Sequence, residues 1–170
     1  MTTADKAARR IAAALCLLAI GWALLLPLAP LVHGSQPPRV VSALAWAPYL
    51  AGSFVCHQRP DRSFTTRSVV WPVCGRCAGL YLSAALGATL LLASGGAWRA
   101  GARGARGLSA WRLALLLAAL PTAVSWCVER AGWWSPASST RAWLAVPLGV
   151  TIGALLALVA RGPGQADPGT

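Results

Sequence analysis

Apolar residues fall in long blocks along this chain, and polar residues gather in short stretches between them. Residues 11–32, 78–97 and 143–160 contain no charged side chain, and 113–130 is charged only at its end, at Glu129 and Arg130. Each block is long enough, as a helix, to cross the ~30 Å hydrocarbon core of a bilayer. Four transmembrane helices are therefore expected. A further apolar block at 40–55 is shorter and carries Trp46, Pro48 and Tyr49, so it reads as an interfacial or re-entrant helix rather than a span. The polar stretches read as a Pro-Pro turn at 34–39, a polar loop at 56–77, a glycine-rich basic loop at 98–112 and a disordered tail at 162–170. The expected architecture is an all-α integral membrane helical bundle, a single domain over residues 1–161.

Small residues add a packing signal inside the spans. Gly79, Ser83 and Gly87 recur every four residues, and Gly149 and Gly153 form a GxxxG pair. Such faces let a second helix approach closely, either in this chain or in a membrane-protein partner. The first block is expected to stay in place as an anchor, because it is longer than a signal peptide's apolar core and the cleavage site near Val32-His33-Gly34 is weak.

Composition agrees with this patterning. Of 170 residues, 56% are hydrophobic and 11% charged, too apolar for an ordinary soluble domain. The net charge of +11 would suggest nucleic acid in a soluble protein, but here the arginines punctuate apolar blocks, where they set topology and contact the lipid bilayer. No nucleic-acid partner is expected. With both termini in the cytoplasm of this multi-pass cell-membrane protein, Lys6, Arg9, Arg10, Arg99, Arg103, Arg106, Arg112 and Arg161 lie inside. Arg39, Arg59, Arg62, Arg67, Arg76, Arg130 and Arg141 then lie outside. The short basic loop decides the orientation, since the positive-inside rule acts most strongly on short loops beside spans. The 56–77 stretch is then expected at the outer surface.

That stretch holds the chemistry. Cys56, His57, Cys74 and Cys77 offer the ligand types of a zinc site, half of it from a CxxC. Adjacent Cys56 and His57 seldom ligate one ion together, so His57 is either the fourth ligand or a supporting residue, and without it three sulfurs leave an open coordination position. The CxxC precedes an apolar run directly, so its sulfurs should sit at a helix N-terminus, where the positive end favours thiolate. Two other readings use the same residues. Cys74 and Cys77, with Cys56 as relay, suit thiol-disulfide oxidoreduction, and a disulfide from Cys56 would be a structural clip in a small transporter or assembly subunit. Arg59, Arg62, Ser63 and Arg76 are candidate contacts for a phosphate or carboxylate. Asp61 is expected to pair one of these arginines, and Glu129 to pair with Arg130 beside it or to snorkel. Hydrolase and nucleotide motifs are missing, as is any pair of carboxylates for acid-base work.

Cys56-His57-Gln58-Arg59-Pro60-Asp61-Arg62-Ser63-Phe64 and Pro72-Val73-Cys74-Gly75-Arg76-Cys77-Ala78-Gly79-Leu80-Tyr81 resemble the signature of a bacterial membrane-protein family called domain of unknown function 2085. Ala137-Ser138-Ser139-Thr140-Arg141 before Pro147-Leu148-Gly149 is similar to a second family pattern, with Ser138 in place of the usual Asn and Ser125 in place of an Asp. The resemblance implies a compact helical membrane protein in which Cys56, His57, Arg62, Ser63, Cys74, Arg76, Cys77 and Tyr81 belong to one site. It implies no particular activity.

Overall fold

The computed structural model describes residues 3–35, 38–93 and 105–161. The apolar blocks form α1 (Thr3–His33), α3 (Gly75–Ala93), α4 (Ala105–Arg130) and α5 (Ser138–Arg161), and the shorter block forms α2 (Arg39–Ser53). Four segments are long and apolar enough to cross a membrane: Lys6–His33, Gly75–Ala93, Ser109–Arg130 and Ser138–Ala160. At 1.5 Å per residue, the 19 residues of Gly75–Ala93 rise ~28 Å, just enough for the hydrocarbon core. Leu17 and Leu18 on α1 and Leu116 on α4 are about 70% exposed. Their apolar surface is removed from water only by a surrounding bilayer.

Two boundaries differ from expectation. The third long helix begins at Ala105, so Arg106 and Arg112 lie on a helix rather than in a basic loop; Ala, Arg, Leu and Trp around them sustain a helix that Gly107 alone does not break. Arg99 and Arg103 fall outside the described residues, as does the 162–170 tail. The last helix starts at Ser138 and not near residue 143, which brings Arg141 into its first turn.

The other departure is a β-hairpin within the polar stretch. After a single 3₁₀ turn at Pro60–Arg62, β1 (Ser63–Thr66) pairs antiparallel with β2 (Val69–Cys74), with Ser63 opposite Cys74 and Thr66 opposite Val69. Arg67 and Ser68 make the two-residue connection with φ of 51° and 64°, the backbone of a type I′ turn. That turn usually carries Asn-Gly, because side chains resist positive φ. Here tertiary contacts hold it: Arg67 packs against Gly34 at the end of α1, the Tyr49 hydroxyl of α2 donates to Val70 O (2.8 Å), and Trp71 Nε1 donates to Thr66 Oγ1 (2.8 Å).

Helices α3 and α5 run parallel in backbone contact. A methyl group at Gly75, Gly79 or Gly87 would overlap the carbonyl oxygen of Ser138, Ala142 or Val150 in turn, and one at Gly149 or Gly153 would overlap that of Leu80 or Ala84. The small-residue faces thus meet each other inside the chain and are not left free for a partner. Helix α1 lies across this pair, α4 lies against α5, and α2 rests on α1 and β2. One buried cluster joins Cys16, Ala88, Leu91 and Ala157; the other, beneath the hairpin, joins Leu26, Cys56, Val73 and Ala78.

Gly79→Val should therefore push α3 from α5 and cost about 1–3 kcal/mol or more. Gly21 has nothing within 4 Å, so Gly21→Ala should leave stability unchanged or slightly raised. Thermal unfolding of the two variants in detergent checks this pair of outcomes.

Candidate metal centre

Three elements deliver the cysteines to one place. Cys56 ends the turn after α2, its amide donating to Gly52 O (2.8 Å). Cys74 is the last residue of β2, and Cys77 lies in the first turn of α3. Among the described residues, the group of metal-ligand atoms that gathers is the Sγ of Cys56, Cys74 and Cys77, all within 4.8 Å of one another. The thiols are unbonded, and the Cys74 amide donates to Cys56 Sγ at 3.2 Å.

Gln58 closes the two arms of the site. It takes a positive φ of 48°, and its Nε2 donates to Tyr49 O at 2.6 Å and to Pro72 O at 2.8 Å, so one side chain ties α2 to the strand that carries Cys74. Gly52 sits against Pro72 O so closely that a methyl there would overlap it. Trp22, Phe64, Trp71 and Tyr81 pack around the cluster, with Trp22 and Tyr81 edge to face at 6.1 Å and Phe64 and Trp71 5.3 Å apart. The sequence motif contains Gln58, but nothing in its residue type announces this bridging role.

Electrostatics single out Cys56 as the thiolate. Its pKa is held far below the usual thiol range by hydrogen bonds from the Cys74 thiol first and the Cys77 thiol second; burial opposes the shift, and the Cys74 and Gln58 amides assist it. The N-terminus of α3 adds a positive end beside the sulfurs.

The other candidates separate from this centre. His57 is exposed, and its ring is not in the three-sulfur group. The proposed anion contacts are turned onto protein groups: Arg59 pairs with Asp61 at 3.1 Å, Arg62 lies 3.5 Å from the same carboxylate, and the Ser63 hydroxyl donates to Arg59 O at 2.9 Å. Arg76 points to α4. Its Nη2 meets Glu129 Oε2 at 2.7 Å and donates to Ser125 Oγ at 3.2 Å, and Arg141 reaches Glu129 Oε1 at 2.5 Å. These internal partners take up part of the donor capacity, while Arg62 Nε and Arg76 Nε are buried without a hydrogen-bond partner among the described residues.

The Arg76–Glu129–Arg141 cluster joins α3, α4 and α5, with the Glu129 and Arg141 side chains each only 3% exposed. Glu129 does not pair with its neighbour; Arg130 lies over the Trp126 ring at 5.9 Å. Ser125 and Ser138 also have definite work, since Ser125 accepts from Arg76 and the Ser138 hydroxyl donates to Ser63 O at 3.2 Å. Sequence reasoning missed the cluster because its members lie 53 and 12 residues apart. The available signal was that an apolar chain with four acids had buried one of them at the end of a span.

The family described as "Predicted membrane protein (DUF2085)" matches residues 56–155 of this sequence. The chain belongs to that family. The DUF2085 match starts at Cys56 and takes in Cys74, Cys77 and all three residues of the buried ionic cluster, whereas α1 and α2 lie before it. The chain is also similar to an uncharacterized protein of Methanothermobacter thermautotrophicus, 48% identical over 31 residues, which are 18% of this chain and 28% of that protein. The similarity therefore spans less than a third of that relative's length. No solved structure matches.

Removing the carboxylate should expose what the ionic cluster contributes. Glu129→Ala strands two guanidinium groups among three helices and should destabilise by about 3–5 kcal/mol, the range for breaking a buried pair. Asp61→Ala, at a carboxylate whose arginine partners are exposed or half-buried, should cost under about 1 kcal/mol. Denaturant unfolding of the detergent-solubilised protein separates the two.

Proposed function

We propose that this member of DUF2085 is a membrane metalloprotein in which Cys56, Cys74 and Cys77 hold one zinc ion at the membrane surface with a fourth position open. The observation that carries the reading is the gathering of three sulfurs from three elements within 4.8 Å. Sulfurs round one tetrahedral zinc lie ~3.8 Å apart, given Zn–S bonds of ~2.3 Å. The donor set fits as well. Three thiolates suit a soft-to-borderline ion, the α3 N-terminus favours their ionised form, and Gln58 with the Gly52–Pro72 contact fixes the two arms. A zinc ion held by three protein ligands supplies a Lewis acid, or a bound water of lowered pKa. In this reading His57 supports the site from its edge. Both termini lie in the cytoplasm and the centre faces the outer side, as the short basic segment after α3 favours.

One observation favours a second reading. Three free thiols lie within 4.8 Å of one another, close enough for thiol-disulfide exchange in which Cys74 and Cys77 carry the electrons and Cys56 acts as relay.

Purified full-length protein prepared under reducing, chelator-free conditions should contain about one zinc per chain by mass spectrometry. Cys74→Ser should lose most of it, while His57→Ala should retain it. A metal-free wild type in which Cys74 and Cys77 resist labelling until reduced would overturn the zinc reading in favour of the redox one.

A further inference from the structure

Two features at the head of the α3–α5 pair have complementary charge. A divalent ion on three thiolates leaves the cysteine site at −1. The buried cluster of Arg76, Glu129 and Arg141 has two cations against one carboxylate and so stands at +1. Either charge alone would be costly in an apolar environment. They are held close together. Arg76 is the chain neighbour of Cys77 in the first turn of α3, Gly75 lies against Ser138 at the start of α5, and Arg141 is one turn further along that helix. Successive helical residues point ~100° apart, so Arg76 faces α4 and α5 while Cys77 faces the hairpin. Its influence on the sulfurs is thus through the field and not through a contact. Within the cluster Arg76 Nη2 serves Glu129 and Ser125, yet its Nε is buried without a hydrogen-bond partner among the described residues. Glu129 does not use up this guanidinium.

Resting on the zinc reading above, we propose that the Arg76–Glu129–Arg141 cluster is the built-in counter-charge of the metal centre, with Arg76 as a positioning residue whose surplus positive charge sets the affinity of the cysteines for the ion. The cluster thereby has a second role beside joining the three helices. Acting through the field alone, the loss of this unit charge from a partly buried place beside the sulfurs should weaken zinc binding by roughly tenfold in Arg76→Gln. Arg76→Lys keeps the charge but loses the planar two-pronged geometry, so it should stay within about threefold of wild type. The double variant Arg76→Gln, Glu129→Gln leaves Arg141 as the sole charge, again +1, and should recover most of the affinity lost in the single variant. Arg130→Gln removes an exposed cation beside the same carboxylate and should change nothing.

The experiment is competition for Zn²⁺ against a chromophoric chelator with the full chain in detergent, each variant's thermal unfolding being recorded in parallel. A merely structural cluster predicts that the Lys and double variants lose affinity with the Gln variant and in step with their stability. That result overturns the proposal, as does equal affinity in all variants. A wild-type protein that takes up no zinc overturns the metal reading itself and this one with it. The order wild type ≈ Lys ≈ double, with Arg76→Gln alone weakened, supports the counter-charge.

Discussion

Backbone contact between α3 and α5 is the constraint from which the rest of this architecture follows. In a bilayer, apolar side chains gain nothing by leaving lipid for one another, so helices associate through close packing and through polar groups that find partners. Gly75, Gly79 and Gly87 on one helix and Gly149 and Gly153 on the other remove the side chains that would hold the two backbones apart. Because the contact is parallel and reaches Gly75 and Ser138, it also aligns the two N-termini. The positive ends of both helices, the CxxC and Arg141 are thereby brought to one level of the molecule.

That alignment explains why a chain with so few polar groups can bury an ionic cluster. Glu129 approaches from the end of α4 and meets guanidinium groups from α3 and α5, each on the first turn of its helix. A pair of this kind is weak evidence for net stability, since desolvation offsets most of the attraction. Its value is directional. Only one rotation and depth of α4 lets a single carboxylate meet both arginines, so the cluster fixes how α4 docks, together with Thr122 Oγ1, which donates to Leu144 O of α5 at 2.8 Å.

The hairpin performs the matching task for the cysteines. Cys74 is the hinge residue, the last of β2 and the one before α3, and Cys56 is drawn to it by its own sulfur accepting the Cys74 amide. Gln58 then satisfies two carbonyls that belong to different arms. The site therefore rests on backbone groups already placed by the fold. Its three cysteines are preorganised by α1, α2 and the hairpin around the fully buried side chains of Val73 and Leu26.

Much of this was legible in the residues. The spans follow from block length and absence of charge, the shorter helix from its own length, the small-residue faces from their four-residue spacing, and the three cysteines from residue type and the CxxC. What the chain alone did not disclose has a common physical origin. The turn at Arg67-Ser68 lacks the Asn-Gly that would signal it, because contacts with Gly34 and α2 replace local preference. His57 matches Cys56 in kind and lies beside it, yet only the path of the backbone after α2 decides which of the two side chains turns inward. Glu129 sits next to Arg130, and sequence proximity suggests that pair, whereas the fold supplies two arginines from other helices. Composition and periodicity report what a residue can do within its own segment, and so they determined a helical membrane protein with a cysteine site. Which distant side chains share a buried charge is a property of helix docking, and only the tertiary structure decided it.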